Sequence, residues 1–87
     1  MQVNKRDLLA RLKKVEGQVR GVQKMIDEDR YCMDILVQLA AIKSAINSIG
    51  LVILEGHTKS CVSNAIQSGD GEEAINEMMG VLRSFVK

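Results

Sequence analysis

Proline and tryptophan are absent from the 87 residues, and Tyr31 and Phe85 are the only other Phe, Trp or Tyr side chains. Without proline, no helix is forced to stop by a missing N–H or a ring clash. Without aromatics, the core has to be built from aliphatic side chains, with methionine filling its gaps. Two cysteines are too few for a disulfide framework. One histidine rules out a metal site made of several imidazoles from one chain. The opening Met1-Gln2-Val3-Asn4-Lys5 moves straight into charged residues and lacks the apolar run of an export signal. The expectation is a reducing cytosol, where thiols stay available as ligands or nucleophiles.

What remains is rich in Ala, Leu, Ile, Val, Lys and Glu, and 46% of residues are hydrophobic. This composition points to an all-α protein, a single small domain over residues 1–87. A chain this short buries a small share of its surface, so metals or oligomerisation often complete such folds. Charge is unevenly placed. Residues 1–24 carry Lys5, Arg6, Arg11, Lys13, Lys14, Arg20 and Lys24 against Asp7 and Glu16, whereas residues 25–87 hold five basic and nine acidic groups. A basic first helix on an acidic body reads as a polyanion-binding surface, or as a solvated helix face.

Three helices are expected. The first runs from about Lys5 to Met25 or Ile26, with Asn4 as N-cap and Leu8, Leu12, Val15, Val19, Val22 and Ile26 as its apolar seam. Gly17 and Gly21 share one face of it and suggest close approach of another backbone. Asp29 is expected to cap a second helix from about Arg30 to Gln67, with Cys32 in its first turn and Gly50 and Gly56 allowing a bend near His57. From Ile35 to Leu54 this helix is apolar enough to invite a transmembrane reading. Lys43, Ser44, Asn47 and Ser48 form a polar stripe against it, and no aromatic or basic belt flanks it. A water-exposed helix so apolar has to be covered by other chains. After a turn at residues 68–71, a third helix opens on Glu72 and Glu73 and buries Ile75, Met78 or Met79, Leu82, Phe85 and Val86. Met25, Met33, Met78 and Met79 are read as core filler.

His57 and Cys61 are four residues apart, so a helix projects both from one face and they can share a metal ion; packing in a core is the plainer alternative. Cys32 lies 25 residues before His57, about 37 Å along a straight helix at the α-helical rise. An antiparallel pair of second helices brings Cys32 of one chain opposite His57 and Cys61 of the other, twice by symmetry. Two thiolates and one imidazole suit three-coordinate Cu(I); structural zinc wants a fourth protein ligand, zinc with an added water stays open as an alternative, and nickel or copper(II) wants more nitrogen. A cysteine–histidine catalytic dyad would lack an orienting third group.

The run from Arg11 to Ile26 (RLKKVEGQVRGVQKMI), then Tyr31-Cys32, then Gly56-His57-Thr58-Lys59-Ser60-Cys61, closely resembles the copper-sensing operon repressor family (CsoR/RcnR-type) over nearly the whole chain. The resemblance implies a three-helix protomer and an antiparallel dimer with a four-helix-bundle core on which the third helix packs. Dimers would pair into a disc-shaped tetramer. It implies a repressor that binds operator DNA without a helix-turn-helix and releases it on binding Cu(I), freeing copper-resistance genes. Each dimer would hold two Cu(I), with Cys32 from one protomer and His57 and Cys61 from the other. Tyr31 and Glu77 match positions behind the ligands, Arg11 and its basic neighbours match the DNA-contacting surface, and a copper chaperone is a candidate metal donor. Where some members carry a basic residue near position 48, this chain has Ser48. Nickel and cobalt sensors of this kind use further histidines, one near the N-terminus, and residues 1–5 contain none. Persulfide sensors lack the intervening histidine; formaldehyde sensors lack the second cysteine and use an early proline. A thiol-redox or persulfide sensor is the alternative on the same scaffold, and a helical interaction module the alternative outside it.

Overall fold

The computed structural model describes residues 3–86, all helical apart from the connections. The first two residues of the segment read for an export signal, and Lys87, lie outside the described residues. α1 spans Lys5–Asp27 and α2 spans Cys32–His57; a π-helical turn, Thr58–Val62, leads into the short α3, Ser63–Gln67, and α4 spans Gly71–Val86. The residues gather into two compact units, Val3–Val52 and residues 53–86.

In the first unit α1 and the leading part of α2 form a helical hairpin. Asn4 begins α1 as expected: its side-chain oxygen accepts the Asp7 N–H at 3.0 Å. Leu8, Val15 and Val22 on α1, with Ile42 and Ile49 on α2, are the buried core, and Ile35, Ala45 and Val52 pack against it. Leu8, Val15 and Val22 lie seven apart, as do Ile35, Ile42 and Ile49, so each helix offers one line of a heptad seam. The other half of the α1 seam is not covered: Leu12 and Val19 are each 42% exposed and Ile26 58%. Gly17 and Gly21 correct a second expectation. A Cβ at Gly17 would meet only an Arg20 side-chain nitrogen at 3.8 Å, and one at Gly21 would meet nothing within 4 Å.

The connection between α1 and α2 overturns the expected role of Asp29. Arg30 N–H bonds Met25 O at 2.9 Å and Asp29 N–H bonds Ile26 O at 3.1 Å. This double closure is a Schellman motif ending α1, with Asp29 in the left-handed region at φ 54°. Asp29 therefore stops the first helix and does not cap the second. Two residues are used in the closure, so α2 starts at Cys32, with the Tyr31 carbonyl accepting from the Asp34 and Ile35 N–H groups.

The second unit repeats this device. Asp70 N–H bonds Ala65 O at 2.7 Å and Gly69 N–H bonds Ile66 O at 3.2 Å, with Gly69 at φ 90°. Gly71 then starts α4 tight against α3: a Cβ there would lie 2.7 Å from Ile66 Cγ1 and 3.1 Å from its Cα. The apolar face expected for the third helix is only partly covered within the chain, with Ile75 and Phe85 each 40% exposed. Of the expected core methionines, Met25 and Met78 are half-buried, and Met33 and Met79 are exposed.

The two turns generate opposite expectations. Asp29→Gly relieves a left-handed residue and should raise stability by about 0.5–1 kcal/mol. Gly71→Ala must displace Ile66 and should lower it by about 1–3 kcal/mol. Urea unfolding of the two variants at matched protein concentration checks both signs.

Candidate metal and nucleic-acid sites

Cys32 is the first residue of α2, and its thiol is free and exposed. Tyr31 before it is 66% exposed. His57 is the last residue of α2 and is half-buried; Cys61, a second free exposed thiol, sits inside the π-helical turn.

A π-helical turn closes its backbone bonds one residue later than an α-helix and is wider. The four-residue step from His57 to Cys61 runs through this coil, so it covers slightly less than one turn where α geometry would give slightly more. Two hydroxyls reach back to carbonyls of the preceding turn. Thr58 Oγ1 donates to Leu54 O and Ser60 Oγ to Gly56 O, each at 2.9 Å. Ser60 Oγ also lies 3.7 Å from Cys61 Sγ. Glu55 and Lys59 form an ion pair of 2.9 Å along the same stretch. Both side chains are about two-thirds exposed, so this pair adds only a few tenths of a kcal/mol. The turn is anchored from inside by Val62, which is 4% exposed.

The position expected to communicate with His57, Glu77, is exposed on α4. The side-chain hydrogen bond joining the turn to α4 runs between the neighbours of those two residues: Thr58 Oγ1 lies 3.5 Å from Met78 Sδ. Sequence reasoning assigned Met78 to packing and gave Thr58 and Ser60 no part. Their signal was faint, two hydroxyl residues inside a helix where back-bonding to the preceding turn is common. Among the described residues, no three His, Cys, Asp or Glu side chains of one chain gather as a metal site.

Lys5, Arg6, Arg11, Lys13, Lys14, Arg20 and Lys24 are all exposed on α1. At 3.6 residues per turn, Arg6, Lys13, Arg20 and Lys24 project away from the Leu8–Val15–Val22 line, while Arg11 lies on its flank. Arg11 Nε is held by Asp7 Oδ2 at 3.1 Å, one turn earlier. That contact uses one edge of the guanidinium and leaves its terminal nitrogens free for a phosphate. Arg20 and Glu16 pair more loosely, at 4.0 Å.

The model of the metal-sensitive transcriptional repressor family matches residues 4–84. The chain belongs to that family. Among its relatives, the copper-sensing transcriptional repressor CsoR of Bacillus subtilis (strain 168) is 53% identical over 77 residues, 88% of this chain and 76% of the relative. The crystal structure of the copper-sensing repressor CsoR with Cu(I) from Geobacillus thermodenitrificans NG80-2 superposes with a TM-score of 0.90 at 46% identity, covering all of this chain and 94% of the other. The nickel-responsive transcriptional regulator InrS matches with a TM-score of 0.81 at 33% identity, covering 98% of this chain and 96% of the other. Membership makes this metal-sensitive repressor a regulator and not an enzyme. One scaffold therefore serves sensors of different metals.

Val62 fastens the turn that holds Cys61. Val62→Ala should cost about 2 kcal/mol of stability through two lost methyl groups and the cavity left behind. Amide hydrogen exchange should then quicken over Thr58–Gln67 and stay unchanged near Leu8 and Val15.

Proposed function

We propose that this repressor is a Cu(I) sensor: metal-free, it binds operator DNA, and on binding Cu(I) it lets the DNA go, derepressing genes for copper resistance or efflux. The observation that carries the reading is the donor set on and just beyond α2, two exposed thiols and one half-buried imidazole, in a chain whose relatives include copper-sensing repressors. Two thiolates and one imidazole fit Cu(I), which prefers soft ligands and low coordination numbers. The lone histidine makes a nickel site poor in nitrogen.

Cys32, His57 and Cys61 are the proposed ligands. The 25 residues from Cys32 to His57 separate them by about 37 Å along a helix, so each site draws Cys32 from one protomer and the other two ligands from its partner. The apolar face of α2 supports such a partner. Leu36 is 53% exposed, Val37 64%, and Leu39 and Ile46 43% each, and burying such side chains is worth about 1.5–3 kcal/mol apiece. By length and composition alone Cys32–Gln67 could also cross a membrane; the polar stripe through Lys43, Ser44, Asn47 and Ser48 and the family's operator-binding role favour a protein partner in the cytoplasm. The protomer acts as a single domain over residues 1–87. Two such antiparallel dimers form the DNA-binding tetramer, and a copper chaperone is the proposed donor of the metal.

Cys32, His57 and Cys61 would hold Cu(I), which would supply positive charge where the two protomers meet. The protein's part is to turn its binding into a change of shape. Binding two sulfurs and one ring nitrogen of His57 leaves the other nitrogen to orient toward Glu77, with Tyr31 beside Cys32. Release requires Cu(I) to favour the DNA-free arrangement, because equal affinity for both arrangements shifts nothing. Several basic α1 surfaces meet phosphates in the metal-free state, so affinity falls steeply with salt. Most of the contact is to backbone and groove shape.

Two experiments test the reading. Cys32→Ala should abolish tight Cu(I) binding, followed by thiolate–copper absorption under anaerobic conditions, while metal-free operator affinity stays within about twofold of the parent; unchanged copper affinity would remove Cys32 from the site. Arg11→Ala should weaken operator binding and flatten its dependence on salt by about 0.9 per lost phosphate contact. An unchanged slope would move the DNA surface elsewhere.

A further inference from the structure

We infer that Thr58 is the positioning residue through which the His57–Cys61 turn acts on α4, by way of Met78. The inference rests on the copper-repressor reading for its purpose, and on the hydroxyl's surroundings for its mechanism. Thr58 opens the π-helical turn, directly after one proposed ligand and three residues before another. Its hydroxyl has two acceptors in reach, Leu54 O at 2.9 Å in the preceding turn and Met78 Sδ at 3.5 Å on α4. A threonine hydroxyl carries a single proton. It cannot serve both acceptors fully, and the carbonyl is the stronger of the two.

The bond to Leu54 is the usual back-bond of a helical threonine to the carbonyl four residues earlier, and it takes most of the proton. Met78 Sδ takes the remaining share. When Thr58–Val62 moves relative to α4, the distance from the hydroxyl to the sulfur changes, and the O–H turns toward the sulfur or away from it. No covalent bond is made or broken; one O–H rotates between a carbonyl and a thioether. Met78 is half-buried in α4, so a shift at its sulfur is passed to the helix and is not lost to solvent. Val62, buried below the turn, fixes its far end and leaves the Thr58 end as the part free to adjust.

The route differs from the His57–Glu77 connection by one residue at each end, and side-chain changes separate the two. Thr58→Val keeps shape and removes the hydroxyl; Thr58→Ser keeps the hydroxyl; Met78→Leu keeps apolar volume and removes the sulfur. Three quantities are read: Cu(I) affinity by competition with a chromophoric chelator, hydrogen exchange of α4 amides in metal-free protein, and the factor by which Cu(I) weakens operator binding. Thr58→Val and Met78→Leu should each hold Cu(I) within about twofold of the parent, quicken α4 exchange, and shrink the copper factor by about fivefold, the worth of one ordinary hydrogen bond. Thr58→Ser should restore both properties. Parental exchange and a parental copper factor in Thr58→Val would overturn the inference, as would a serine variant no better than valine. If the parent protein itself holds on to DNA in Cu(I), the sensor reading fails. In that case the metal-free exchange comparison still decides whether Thr58 ties the turn to α4.

Discussion

The helix that carries two of the proposed ligands, Cys32 and His57, displays more apolar surface than one chain of this size covers. α1 shields a single heptad line of α2, centred on Ile42 and Ile49, and leaves Leu36, Val37, Leu39 and Ile46 in solvent. The same helix is too long for its first residue to meet its last. In the proposed sensor this one element accounts for both the partner and the ligand drawn from that partner. Assembly and sensing are linked in this account because both follow from the length and apolarity of α2.

At the far end of α2 regularity gives way. A π-helical turn is rarely kept without reason, and here it contains Cys61 and begins one residue past His57. The Thr58 and Ser60 hydroxyls tie it back to the Leu54 and Gly56 carbonyls of α2. Neutral bonds of this kind are worth about 0.5–1.5 kcal/mol each, comparable with the ~1–3 kcal/mol typical of allosteric coupling. A turn held by such bonds is stable enough to be defined and weak enough to be reset. The Schellman closures at Asp29 and Gly69 end α1 and α3.

Much of the architecture was legible in the sequence. Asn4 as a cap, the seven-residue spacing of Leu8, Val15 and Val22, and the turn at residues 68–71 rest on local rules, and each is realised. The family, too, was readable from the run Arg11–Ile26 with Tyr31, Cys32, His57 and Cys61. Asp29 was misread because an acidic residue before a helix normally signals an N-cap, and nothing local distinguishes that from a left-handed residue ending the previous helix. The π-helical turn was hidden for a similar reason: its residues have ordinary helical preferences, and its widening is a property of the backbone alone. Gly17 and Gly21 suggested a close neighbour that one chain does not provide.

The shared site is the central claim, and mixing two defective chains tests it most directly. Chains carrying Cys32→Ala and chains carrying Cys61→Ala each lack a complete site as homodimers. After unfolding together and refolding, a mixed dimer regains one intact site from Cys32 of one chain and His57 and Cys61 of the other. Tight Cu(I) binding, absent from either variant alone, should return on mixing. Mixed protein that stays as blind to Cu(I) as its two parents would contradict a site built across protomers.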